Sequence, residues 1–310
     1  MKLARDFSVI SMRSKAELCA LAQAVFWEQG SAKNLGLDKN RLGAFVRAVA
    51  RRYRTNSYHN FQHAVDTVHR MAWFLALPSF RNNLRDRHKF LLLVAALVHD
   101  VEHPGHDNQW ELRIRSPWAE KYRSNSVLEC HSLAVSRRLM ENEERNVFSV
   151  FEPGDREEMD RLFERVILVT DFARHADFVA KFSRWLARHQ GDYSNRDFVP
   201  IICCALIKAA DIGNAAKPFS VAKRWGLRVL KECWAQGKEE KSHNFPVGPL
   251  NDPDVADFNV AQAGFIKNSA LGLFQLLERV EPELGPMVRE LEANMVCYEE
   301  NARRSLPLVK

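Results

Sequence analysis

Seven stretches of this chain repeat apolar residues at steps of three and four, a period that only an α-helix turns into one continuous face. They are 15-KAELCALAQAVFWEQG-30, 40-NRLGAFVRAVARRY-53, 88-HKFLLLVAALVHD-100, 126-SVLECHSLAVSRRLM-140, 158-EMDRLFERVILVTDF-172, 198-FVPIICCALIKAADIGN-214 and 265-FIKNSALGLFQLLERV-280. Strand-like alternation closed by Asn-Gly or Asp-Gly is missing. Pro78, 104-PG-105, 153-PG-154, Pro200 and 246-PVGPLNDP-253 punctuate the helices without making a linker, and there is no internal repeat. The reading is a single all-α domain over residues 1–310. It predicts about 14–16 helices and a loop at roughly 236–256. At 310 residues and 46% apolar content, such a domain can bury a large core.

Charge and cysteine content narrow the function classes. A net charge of +6 and the run 47-RAVARRYR-54 raise nucleic-acid binding, but no stacking motif or recognition helix accompanies Arg47, Arg51 and Arg54. They read as a solvated helix face, and no nucleic-acid partner is expected. The six cysteines include no C-x-x-C pair, which argues against a disulfide scaffold and a cysteine zinc site and for small core residues. No unbroken apolar run of membrane-spanning length and no signal-peptide h-region is present, so the expectation is a cytoplasmic protein.

Three apolar helices end in carboxylates: 90-FLLLVAALV-98 runs into His99 and Asp100, 201-IICCALIKAAD-211 into Asp211, and 166-VILVTD-171 into Asp171. An unpaired buried carboxylate costs several kcal/mol, so something cationic should meet them. Asp171 reads equally well as a helix-end charge paired with Arg174 or His175. Histidines crowd the same regions: His59, His63 and His69 in 58-YHNFQHAVDTVH-69, and His99, His103 and His106 in 98-VHDVEHPGHDN-108. If 56–70 is helical, His59 and His63 lie one turn apart on one face. Two imidazoles and two carboxylates from His63, His99, Asp100 and Asp211 would hold one metal and leave positions open for water, as catalytic sites do. Asp100 could bridge to a second, harder ion, and the pair could share a hydroxide aimed at phosphorus. His59 would then be free to protonate a leaving alkoxide.

At this point the residues resemble a known family, the catalytic domain of class I cyclic-nucleotide phosphodiesterases. The likeness is carried by 58-YHNFQHAVD-66, 99-HDVEHPGHDN-108, 126-SVLECHSLA-134, 169-VTDFARH-175, 208-KAADIGNAAKP-218 and 262-QAGF-265, over roughly residues 6–300. His-Asp alone is shared by the wider HD hydrolase superfamily, whereas the full set is specific. The resemblance implies an HD-type phosphohydrolase fold and metal-dependent hydrolysis of cAMP or cGMP to the 5'-monophosphate. It assigns His63, His99, Asp100 and Asp211 to a tightly held Zn²⁺, with Asp100 also touching Mg²⁺ or Mn²⁺. His59 takes the part of the acid that protonates O3'. His103, Glu129, Thr170 and Asn108 take supporting parts around metal-bound water and His59. Without the resemblance, Glu129 would read as an exposed helix charge.

For the base, the resemblance places Gln262 at the purine edge and Phe265 and Val229 on the two sides of an apolar clamp. Tyr58, Asn214, Phe172, Ile212 and Trp225 line the same pocket. Asn214 leans slightly toward adenine, and activity on both nucleotides is expected. Cys130, Ser132 and Glu102 depart from the family pattern at positions that are not assigned ligands. The partner implied is the cyclic nucleotide; regulatory domains, if any, are expected outside this chain, and a homodimer is left open. The alternatives left open are a catalytically silent cyclic-nucleotide sensor and another HD-type phosphohydrolase.

Overall fold

A computed structural model describes residues 3–12, 14–189, 192–193, 195 and 197–305. Its α-helices are α1 (Lys15–Gln29), α2 (Ser31–Asn34), α3 (Lys39–Arg52), α4 (Phe61–Ala76), α5 (Pro78–Asn83), α6 (Asp86–Val98), α7 (Asn108–Arg113) and α8 (Pro117–Tyr122). They continue with α9 (Val127–Met140), α10 (Pro153–Leu168), α11 (His175–His189), α12 (Phe198–Ile212), α13 (Phe219–Ser242), α14 (Phe258–Phe265), α15 (Leu271–Val280) and α16 (Gly285–Ser305). No strand occurs among the described residues, as the periodicity requires.

Polar side chains start the helices where the sequence provides them. Asp38 accepts from Arg41 N, Asn60 from Gln62 N and His63 N, Asp107 from Trp110 N, and Asp257 from Val260 N, each meeting an N–H that the helix leaves unpaired. Pro78, Pro117 and Pro153 occupy first helical positions. Pro200, expected as a breaker, sits in the first turn of α12 instead, where no partner for its missing N–H is needed.

Helices α4, α6 and α12 pack on one another at the centre, with α1 against α4 and α10 against α6. Every residue from Phe90 to Val98 is fully buried, and each large apolar side chain there contributes about 1.5–3 kcal/mol. One apolar cluster runs from Val9 to Tyr298. The segment Phe198–Ala216 has the length and composition of a membrane span, but 78% of its apolar window is packed inside this core.

Three expectations need correction. Helix α4 begins at Phe61, so His59 precedes it and is not one helical turn from His63. The Asn60 side chain caps Gln62 N and His63 N, so the helix starts after it. Helix α13 runs to Ser242, so the loop expected from 236 starts only at His243. That loop lies flush on α13: Glu240 accepts from Gly248 N and Asn251 Nδ2, and a Cβ on Gly237 would stand 1.9 Å from Asn251 O. Arg54 lies beyond the end of α3 and over the Trp118 ring, so only Arg47 and Arg51 share that helix face. Of the six cysteines, Cys203 and Cys204 are buried and the others half-buried.

Candidate active site

The last turns of α6 and α12 and the first turn of α4 meet at one point, because these three helices form the centre of the core. His63 comes from α4, His99 and Asp100 from the end of α6, and Asp211 from the last turn of α12. His63 Nε2 is 3.0 Å from Asp211 Oδ1 and 3.5 Å from Asp100 Oδ2; His99 Nε2 is 3.0 Å from Asp100 Oδ2 and 3.4 Å from Asp211 Oδ1. Donors held about 2.0–2.2 Å from one ion would stand about 3.0–3.5 Å apart, so the four atoms are spaced as a coordination shell. His99 Nε2 and Asp100 Oδ2 are buried without a hydrogen-bond partner, which a cation between them would satisfy. The C-terminal ends of α6 and α12 add negative potential there.

Supporting contacts hold these groups in place. Ala96 O is 3.1 Å from His99 Nδ1 and accepts its proton, which turns Nε2 toward the cluster. Arg70, paired with Asp66 inside α4, donates to Ala210 O and secures the end of α12. Gly213 makes room for it, since a Cβ there would stand 2.6 Å from Arg70 Cδ. Burial acts against ionising Asp100 and Asp211, but the His99 imidazole outweighs it and keeps both carboxyls below their ordinary range.

Beside this cluster is a second group that sequence reasoning found only in part. His59 and His103 stack with ring centroids 3.9 Å apart, and His59 Nδ1 makes a short hydrogen bond to Glu232 Oε1. Glu232 Oε2 accepts from Tyr58 N at 2.8 Å and His59 N at 3.2 Å. Asn56 Nδ2 donates to His59 O and His103 O, tying the two histidine segments together. Burial disfavours the His59 imidazolium, yet Glu232 and then Asp100 overcome this and raise it to about 9. Burial and then the His59 charge push His103 down to about 3. Glu232 was missed because its partner lies 173 residues away. The available signal was its three-residue spacing from Val229, a residue already expected at the base clamp, since the two share a face if that segment is helical.

The remaining expected residues divide. Asn108 Nδ2 donates to Glu129 Oε2 at 3.0 Å, and burial followed by Asp171 raises the Glu129 carboxyl to about 7. Glu129 is thus held among protein groups rather than standing as an exposed helix charge. Thr170 donates to Ile167 O at the end of α10. Asp171 is not one of the clustered donors: buried, it accepts from Ser126 Oγ and Ala173 N, with Arg174 Nε at 3.8 Å. His69 packs on Phe7, and His106 meets Glu239 and Trp110.

Around the base region, the rings of Phe172 and Phe265 face each other at 6.0 Å, and Val229 and Ile212 are partly buried. A Cβ on Gly226 would fall 2.7 Å from Gln262 Oε1, so the amide rests directly against α13. Asn214 Nδ2 is committed to Tyr58 OH at 2.6 Å, and the Tyr58 ring lies on His63. Trp225 does not line the pocket as expected: it is fully buried behind Tyr58 and His63, its Nε1 bonded to Ser8 Oγ. An indole N–H needs an acceptor when buried, and the N-terminal segment supplies it.

With this geometry in hand, comparison with known proteins is specific. Residues 58–291 match the family model described as 3'5'-cyclic nucleotide phosphodiesterase. The chain is 33% identical over 275 residues to the high affinity cGMP-specific 3',5'-cyclic phosphodiesterase 9A of Drosophila melanogaster, covering 89% of this chain and 18% of that protein. It is 30% identical to the Homo sapiens protein of the same description (89% and 45%), and 27% identical to the 3',5'-cyclic-AMP phosphodiesterase 4C of Mus musculus (97% and 45%). The chain therefore spans less than half the length of these curated relatives. Among solved structures, LmjPDEB1 in complex with IBMX superposes with a TM-score of 0.92 at 27% identity, covering 97% of this chain and 93% of the other. The phosphodiesterase domain of the RhoPDE fusion protein from the choanoflagellate Salpingoeca rosetta gives 0.91 at 26%, covering 98% and 97%.

Proposed function

Because the chain belongs to the 3'5'-cyclic nucleotide phosphodiesterase family, we propose that residues 1–310 act as one catalytic unit hydrolysing cAMP and cGMP to the 5'-monophosphates. The observation that carries this reading is the four-donor cluster standing beside a carboxylate-held histidine. His63, His99, Asp100 and Asp211 would hold a tightly bound ion, read as Zn²⁺ from its two imidazoles, and Asp100 would reach a second, Mg²⁺ or Mn²⁺. When bound, such a pair supplies a hydroxide nucleophile near neutral pH and offsets charge on the phosphoryl group.

The chain's own residues do the rest. His59, kept charged by Glu232, gives its proton to O3' as the P–O3' bond breaks, so the leaving group departs as an alcohol. His103 stays neutral beneath it. Glu129, near its midpoint at neutral pH and fastened by Asn108, can hold solvent at the cluster, with Thr170 at the end of α10 as a further acceptor. Phe265 and Val229, with Phe172 and Ile212 beside them, clasp the base, and Gln262 reads its edge. Among the described residues no side-chain hydrogen bond fixes the Gln262 amide, which supports acceptance of either purine, since an amide donates and accepts.

The test is product analysis. Purified chain with Mg²⁺ and Zn²⁺ should release 5'-AMP from cAMP and 5'-GMP from cGMP, resolved by chromatography. Release from neither would end the proposal, and binding without turnover would replace it with a nucleotide sensor.

A further inference from the structure

The group beside the four-donor cluster carries a second consequence. His59, His103 and Glu232 each offer one ligand atom, all within 4.8 Å of one another, and together they make the His₂Glu set that binds zinc in catalytic sites. The three come from different elements: His59 from the turn before α4, His103 from the turn after α6, and Glu232 from the middle of α13. The segments that carry them are tied to one another. Asn56 spans His59 O and His103 O, while Glu232 Oε2 is occupied by Tyr58 N and His59 N, leaving Oε1 facing the imidazole. His103 Nδ1 accepts from Gly105 N at 3.1 Å and its ring stacks on His59, so His103 must turn about its side chain for both imidazoles to face one ion.

We propose that His59, His103 and Glu232 form an inhibitory site for a further divalent transition-metal ion, zinc foremost, distinct from the His63, His99, Asp100 and Asp211 cluster. Zinc outranks Mg²⁺ here because two of the three donors are imidazoles. Entry of the ion displaces the proton shared by His59 and Glu232; His103 binds either through Nδ1 or, after its proton shifts to Nδ1, through Nε2, and in both cases gives up the Gly105 N–H bond. The site is weaker than the four-donor cluster, having one ligand fewer and cations close by. The inhibitory consequence rests on His59 being the proton donor. An ion at this position takes away the transferable proton, so excess zinc lowers kcat without a matching change in KM.

Equilibrium dialysis of the intact chain against rising Zn²⁺ with Mg²⁺ held constant, zinc being counted by mass spectrometry, reads the site directly. The unaltered chain should retain one more zinc equivalent than His103→Asn, whose affinity for that equivalent falls by at least about tenfold. Turnover, scaled to each protein's own rate without added zinc, should be inhibited correspondingly less in the variant. Crystals soaked in Zn²⁺ should give an anomalous peak among His59, His103 and Glu232, a readout that does not depend on how any variant folds. Equal zinc content in the two proteins throughout, or the absence of that peak, would overturn the proposal. Neither readout needs turnover, so zinc bound here in a chain with no phosphodiesterase activity would refute the proposed function and leave this site standing.

Discussion

Replacing Glu232 with Gln removes the charge that holds the His59 proton while keeping an oxygen to accept from Tyr58 N and His59 N. His59 is raised to about 9, first by Glu232 and then by Asp100, and when cations cover Asp100 and Asp211 the Glu232 charge still acts on it, so most of it is protonated at pH 7.5. Without the carboxylate, burial acts against the imidazolium, and Asp100 and Asp211 cannot compensate once cations neutralise them. The ring then falls to its ordinary value of about 6.5 or below, leaving about a tenth protonated at pH 7.5 and about three quarters at pH 6. Turnover relative to the unaltered chain should therefore drop about tenfold at pH 7.5 and by less than about twofold at pH 6. The assay is the ratio of kcat values at each pH, since ionisations common to both proteins cancel in it. Glu232→Asp should restore part of the loss. A ratio constant across pH would mean that Glu232 only shapes the backbone, and an unchanged kcat would remove His59 from the acid role.

Three further outcomes follow from the same geometry. Stripping divalent ions should lower the melting temperature, and restoring them at about a thousand times Kd should recover about 4 kcal/mol, or several degrees; Asp211→Asn should erase most of that response. Asp66→Ala leaves Arg70 buried without its partner and should cost about 3–5 kcal/mol in denaturant unfolding. Burial works to raise the Asp66 carboxyl, but Arg70 and Lys217 hold it low, so its stabilisation is full above the ordinary carboxylate value and should fade as pH falls through the lower folded value. Gly226→Ala drives a methyl group to within 2.7 Å of Gln262 Oε1, so KM for both nucleotides should rise at least several-fold with a smaller change in kcat. A KM left unchanged would detach Gln262 from base recognition.

Local pattern settled much of this protein. Three- and four-residue periodicity specified helices, and apolar helices ending in Asp100 and Asp211 announced a buried cation site before any contact was known. Those features are legible because each depends on neighbours within a few residues. What the chain order could not show is which distant groups face one another. That Asp100 and Asp211 converge with His63 while Asp171 turns away to cap its own loop depends on how α4, α6 and α12 cross. Glu232 meets His59, Trp225 is buried behind Tyr58 instead of lining the pocket, and Gly226 opens space for Gln262 for the same reason. Periodicity assigns a side chain to a helix face, but only packing decides what that face meets, and so which charge keeps the proton on His59.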